Sequence, residues 1–255
     1  MEKINDAREF FNIEEYPGNF FDYIVKDKNY IDNYGILLFK QDMGVTSGFI
    51  GYGCEGIPII CINYNRNIGH QNLTFAHEIG HMFLHKGVAM NDDSSDIDKL
   101  NKEDYTEHEA FEFAAEIVYP QKNVKEDYIY INENKLLLAK NSIKLANYIN
   151  KLCEKYFISF TFAMNRLLFM NDYPYKVTSK TYQVKLKAGK LSTRYNNFTH
   201  IVVKGHPYYR PYIQPVFEMK EYVDKLTREE KISYETGQAI INRNADLEGY
   251  NEILK

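Results

Sequence analysis

Residues 73–81 read Leu73-Thr74-Phe75-Ala76-His77-Glu78-Ile79-Gly80-His81, and this stretch decides how the rest of the chain is read. It fits the pattern His-Glu-x-x-His. Residues four apart on an α-helix differ by about 40° in direction and about 6 Å in height, so the imidazoles of His77 and His81 can point at one ion. Neutral imidazole is a good ligand for Zn2+, at about 2.0–2.1 Å. Glu78 lies roughly 100° round the helix from His77. That is too far round to join the histidines as a ligand, yet close enough to take a proton from a water held by the ion. The motif nominates His77 and His81 as metal ligands and Glu78 as general base.

Outward from the motif, a helix is predicted from about Gln71 to His85. Phe75, Ile79, Met82 and Phe83 cluster within about 100° of arc, opposite the two histidines. One side is expected to pack on a core and the other to line a cleft. Before the helix come three strand candidates, Gly35–Phe39, Ser47–Tyr52 and Ile57–Asn63, rich in β-branched and aromatic residues. Gly51, Gly53 and Gly56 punctuate the last two as a hairpin. The start, Ala7 to Tyr30, reads as short helices interrupted at Pro17-Gly18. After the motif, Asn91–Asp104 reads as an exposed loop. A second helix follows from Thr106 to Tyr119, stopped near Pro120. Further helices are expected at Leu136–Lys155 and Phe160–Met170, the latter with Ser159 as N-cap.

A catalytic zinc needs a third protein ligand and an open position for water. A further histidine in the longer pattern HExxHxxGxxH is excluded, because Gly87 stands where it would have to be. His85 is about 12 Å along the helix axis from His77, too far to close the same site, and reads as an exposed or supporting residue. The remaining source is acidic, and the helix containing Glu107, Glu109, Glu112 and Glu116 is the evident donor. Glu109, Glu112 and Glu116 share one face of it, whereas Glu107 points away from them. Ala110, Ala114 and Ala115 are small enough to let this helix pack closely against the first.

These blocks resemble the ImmA/IrrE family of bacterial and phage metallopeptidases. The matching residues are Ile62-Asn63, the stretch Leu73–His81, and Glu109-Ala110-Phe111-Glu112-Phe113-Ala114-Ala115-Glu116 ending at Tyr119-Pro120; Ile143–Met170 is also similar. The resemblance covers about residues 35–172. It implies a zincin-like α+β fold and a metal site completed by the glutamate that opens the second block, which maps to Glu109. It also implies cleavage, or some other relief, of a helix-turn-helix repressor in a mobile element or stress response. Phe111 stands where the family pattern has Asn or Asp, and Val118-Tyr119 replace Leu-Met; neither change removes a ligand.

Composition is compatible with this reading. The 255 residues are 44% apolar and 26% charged, an ordinary globular balance. No apolar run approaches the roughly 18–20 residues of a membrane helix, and the N-terminus lacks the pattern of a secretory signal. Cys54, Cys61 and Cys153 are not in ligand-spaced pairs, which favours reduced thiols in a cytoplasmic protein. Residues 174–255 carry 14 Lys and Arg against 9 Asp and Glu, inverting the net charge of −4 of the whole chain.

The texture changes at 171–175, so two domains are expected. Residues 1–172 would form the zincin-like metallopeptidase domain, with a small sheet and a helical bundle. Residues 175–255 would form a smaller β-rich α+β domain that recognises a substrate or partner. Strand-like stretches fall at Tyr182–Lys187 and Thr199–Lys204, and helices at Met219–Leu226 and Tyr234–Asn242. Residues 176–217 interleave basic residues with Tyr182, Tyr195, Phe198, Tyr208, Tyr209 and Tyr212, which suits nucleic acid or an acidic partner; a solvated basic face is the favoured reading. Cys153–Met170 has the outline of a DNA-reading helix-turn-helix, but its second helix is too apolar for that role. The leading expectation is a zinc peptidase acting on a protein substrate, a DNA-binding repressor. The alternative is a non-proteolytic regulator that binds a repressor or nucleic acid through the C-terminal segment. Tyr105, Tyr119 or a residue of that segment are candidates to stabilise an oxyanion.

Overall fold

The computed structural model describes residues 2–53, 56–86, 90–93, 105–168, 199, 202, 204–212 and 216–242. Three short helices open the chain: α1 (Glu2–Phe10), α2 (Phe20–Val25) and α3 (Tyr30–Tyr34). They are separated by the expected break, and the side chain of Asn19 caps α2 by accepting from the backbone of Asp22. Strands β1 (Leu37–Gln41), β2 (Thr46–Tyr52) and β3 (Pro58–Asn63) then lead into α4 (Ile68–Leu84), which carries the motif. After β4 (Met90–Asp93) come α5 (Tyr105–Val118), α6 (Gln121–Glu133), α7 (Ser142–Tyr156), α8 (Phe160–Leu168) and α9 (Val216–Arg228). Among the described residues no helix is long and apolar enough to cross a membrane.

The sheet order is β1-β3-β2-β4. β1 runs parallel to β3, with Leu38 opposite Ile60. β2 and β3 form the expected antiparallel hairpin, with Phe49 opposite Cys61. Its turn closes through Gly53 N–H to Ile57 C=O and Gly56 N–H to Gly53 C=O, with Gly56 in the left-handed region at φ 77°. β4 adds an antiparallel edge on β2. It overlaps the start of the stretch 91–104 expected to be an exposed loop; the polar sequence of Met90–Asp93 gives no apolar alternation, and main-chain pairing with β2 carries the strand instead.

Helix α4 lies on this sheet and is held from several sides. Gly48 of β2 lets the two approach: a Cβ there would fall 2.5 Å from Thr74 Cγ2. Phe75 is fully buried and packs edge-on to Phe20 and Phe21 of α2. The buried Asn72 accepts from Phe20 N–H at 2.8 Å and donates to the carbonyls of Gly18, Tyr156 and Phe157. One side chain thus ties α2 and the end of α7 to the motif helix, and every bond satisfies a backbone group that burial would otherwise leave unpaired.

The helices after the motif form the second layer. α6 is an element that sequence patterning left unassigned; its buried Val124, Tyr128 and Ile131 recur at spacings of four and three. Ser159 caps α8 as expected, its Oγ accepting from Phe162 N–H at 3.1 Å. Phe160, Phe162, Met164 and Leu167 of α8 are buried, so this helix packs in the interior, where it cannot enter a DNA groove.

The expected boundary at 171–175 and the strand at Tyr182–Lys187 lie outside the described residues. Of Thr199–Lys204, the described Thr199, Val202 and Lys204 are not in a strand. The longest described C-terminal stretch, 216–242, is largely helical rather than β-rich, comprising α9 and helical residues at 234–242. Val223, Leu226 and Ile232 supply its buried apolar side chains. Described residues of this segment lie against the N-terminal layers. Tyr212 exchanges both backbone hydrogen bonds with Lys40 at the outer edge of β1, and Thr199 C=O accepts from Gly69 N–H.

Candidate metal centre

Sequence places His77, Glu78 and His81 on α4, and the fold decides what faces them. All three are buried, at 2%, 0% and 0% exposure. Helix α5 packs along the histidine face. The two helices meet closely at Gly80, where a Cβ would lie 3.1 Å from the carbonyl oxygen and 3.2 Å from the Cα of Ala110. Ala110 and Ala114 are fully buried. The expected close packing of small residues is observed, and it fixes which side of α5 is turned to the motif.

That side carries Glu107. It stands three residues before Ala110, one helical turn away on the same face. The Nε2 atoms of His77 and His81 are 3.0 Å apart. Glu107 Oε2 is 2.9 Å from His77 Nε2, and its Oε1 is 3.3 Å from His81 Nε2. Partial burial of Glu107 favours the neutral acid. Hydrogen bonds to His77 and His81, and their charge, outweigh that burial and hold the carboxyl well below its usual range.

Glu109, the expected third ligand, is elsewhere. Its Oε2 lies 3.4 Å from His85 Nε2, and the Tyr105 hydroxyl bonds to it from the exposed side. Glu112 is exposed. Glu116 is bound to Arg166 at 2.9 Å and lies 3.8 Å from Arg8. The acidic face of α5 is thus rotated away from the histidines, and the glutamate set apart from it converges on them. The missed signal was the alanine seam: whichever face carries Ala110 and Ala114 must be the one against α4, and residue 107 shares it. Of the candidate oxyanion donors, Tyr119 is buried with its hydroxyl on Asp127 at 2.7 Å, and Tyr105 is 71% exposed.

The donor set of His77, His81 and Glu107 fits a divalent metal. Each offers one ligand atom, and the three lie within 4.8 Å of one another. Ligands at about 2.0–2.1 Å from a tetrahedral zinc are separated by about 3.3 Å. The two Nε2 atoms, 3.0 Å apart, and the Glu107 oxygens, Oε2 at 2.9 Å from His77 and Oε1 at 3.3 Å from His81, are close to that spacing. Two imidazoles and one carboxylate are also the ligand chemistry of catalytic zinc, which reserves a fourth position for water or substrate.

Behind this cluster His81 Nδ1 faces His85 Nδ1 at 3.0 Å. The His85 side chain is only 11% exposed. It stands outside the metal triangle, as its distance along the helix predicts, and is a partner of His81.

Comparison with known proteins follows the same region. The model of a peptidase family, described as the IrrE N-terminal-like domain, matches residues 31–168. Over 98 residues the chain is 32% identical to "Metallopeptidase ImmA" of Bacillus subtilis (strain 168). That alignment covers 38% of this chain and 55% of the relative, so the chain spans about half the length of the curated protein it matches.

Proposed function

Since this chain belongs to the ImmA/IrrE peptidase family, we propose that it is a zinc-dependent endopeptidase that hydrolyses a peptide bond in a regulatory protein. The observation that carries this reading is the convergence of two imidazole nitrogens and a carboxylate beside the buried Glu78. His77, His81 and Glu107 would hold the ion. When bound, a metal of this kind supplies Lewis acidity, making water acidic enough to be deprotonated near neutral pH and polarising the scissile carbonyl.

The chain's own residues supply the rest. Glu78 accepts a proton from the attacking water as the new C–O bond forms at the carbonyl carbon. It returns that proton to the amide nitrogen as the C–N bond breaks, so one carboxylate serves as base and then acid. Burial of Glu78 keeps bulk water from competing for that proton. The histidines are fixed by α4, which Asn72 and Phe75 anchor from behind. Glu107 is fixed by the seam between Gly80 and Ala110. The substrate we propose is a DNA-binding repressor of helix-turn-helix type, acted on inside the cell.

The test is incubation of the zinc-loaded chain with small DNA-binding repressors of helix-turn-helix type, with products read by mass spectrometry. Cleavage at one bond is expected for wild type, and none for Glu78→Gln. Equal function in the Glu78→Gln variant would replace hydrolysis with regulation by binding.

A further inference from the structure

The metal triangle uses one nitrogen of His81 and leaves open what the other is for. His81 Nδ1 is 3.0 Å from His85 Nδ1, and His85 Nε2 is 3.4 Å from Glu109 Oε2. The two imidazoles are tilted by 48° with centroids 5.2 Å apart, an arrangement in which ring nitrogens meet without stacking. We propose that His85 and Glu109 form a positioning relay behind His81, fixing the ring and the tautomer in which its Nε2 is free to bind metal. This inference rests on the metal reading above.

Proton placement fixes the relay. A neutral imidazole has one N–H and one lone pair. If Nε2 of His81 gives its lone pair to a metal, the proton must sit on Nδ1. His81 Nδ1–H then donates to His85 Nδ1, which must offer its own lone pair. That choice places the His85 proton on Nε2, which points at a carboxylate, an acceptor only. Each tautomer fixes the next, and the chain ends on a negative charge. Moving the proton to the other nitrogen of either ring alone would place two donors or two lone pairs face to face. A carboxylate behind a ligating histidine also makes the imidazole a stronger donor, and partners of this kind are worth about 10–100-fold in metal affinity. The relay explains why Glu109 reaches the centre only through His85, and gives this histidine, the C-cap of α4, a function.

The test is zinc affinity of the full chain, measured by competition with a chromophoric chelator, for wild type, His85→Ala, Glu109→Gln, their double variant and Glu107→Gln. Each relay variant should weaken zinc by about 10–100-fold. The double variant should be no weaker than the worse single one, since both act through one path. His85→Gln, which keeps a donor and an acceptor in place, should recover part of the loss. The visible spectrum of the cobalt-substituted chain should shift in both single variants, a change that general loosening of the fold would not give. Unchanged affinity and spectra in His85→Ala and Glu109→Gln, with metal lost in Glu107→Gln, would overturn the relay and leave the metal reading standing. Metal lost in Glu109→Gln but kept in Glu107→Gln would make Glu109 a ligand and overturn the relay. Metal kept at wild-type affinity by all variants would remove Glu107 from the ligand set and overturn the relay.

Discussion

Gly80 of α4 and Ala110 of α5 approach so closely that a Cβ on the glycine would fall 3.1 Å from the alanine's carbonyl oxygen. This contact sets the spacing of the two helices, and through it the position of Glu107. Gly80→Ala should cost about 1–3 kcal/mol of stability through overpacking, read by denaturant unfolding. It should also weaken metal binding several-fold, because the helix carrying Glu107 is pushed away. Gly51→Ala is the control: a Cβ there meets nothing within 4 Å, so metal affinity should be unchanged.

What was legible in the sequence follows from how local each interaction is. His77 and His81 are set by the pitch of one helix, and the first three strands by their β-branched and aromatic residues. Glu107 depends on how α5 is rotated about its axis, which only its neighbour decides. Counting acidic residues selects the face of Glu109, Glu112 and Glu116, but the apolar contact wins: Ala110, Ala114 and Phe113 are buried, while Glu112 is in solvent. Burying close-packed small residues against Gly80 is favoured over turning three carboxylates inward, where each would need a partner. Strand β4 was hidden for another reason, since backbone pairing leaves no mark in side-chain pattern. Helix α6 carried a readable stripe, Val124, Tyr128 and Ile131, in an otherwise polar stretch.

Arg166 is a prediction about stability alone. Its Nε donates to Tyr119 C=O and its Nη2 to Glu116 Oε2, both at 2.9 Å, and burial pushes its pKa down although Glu116 and Glu112 oppose the shift. Arg166→Met removes two hydrogen bonds and leaves Glu116 the more distant Arg8, at 3.8 Å, and should cost about 2 kcal/mol. The folded fraction should still bind metal with wild-type affinity, as measured by chelator competition below the unfolding transition.

Lys40 gives a pH-dependent prediction with a definite sign. It is 4% exposed, with Asp22 at 4.0 Å and the Phe21 ring at 4.3 Å. Burial lowers its pKa from 10.5 to about 8, with Asp22 opposing and Arg210 reinforcing the shift. The folded state thus releases this proton first. Between pH 8 and 10.5 the unfolded state holds more protons, and stability from this group rises with pH. The penalty is complete below pH 8, where Lys40→Met should be more stable than wild type by on the order of 3 kcal/mol. Urea titrations at pH 7, 9 and 10.5 should show that advantage shrinking steadily.

Glu78→Gln separates chemistry from assembly. The amide keeps the shape of the carboxylate but cannot accept the proton, so peptide cleavage should fall by about 10²–10⁴-fold. Zinc content should stay at the wild-type level. Single-turnover cleavage on matched, metal-loaded samples checks both together, and loss of zinc in this variant would instead make Glu78 part of the binding site.

The most direct measurement is bound zinc per chain by elemental analysis after dialysis, for wild type, His77→Ala and Glu107→Gln. About one ion per chain is expected for wild type, since His77, His81 and Glu107 could together hold one ion, and much less in both variants. A full equivalent retained by Glu107→Gln, or a wild-type chain that holds no zinc, would contradict the account.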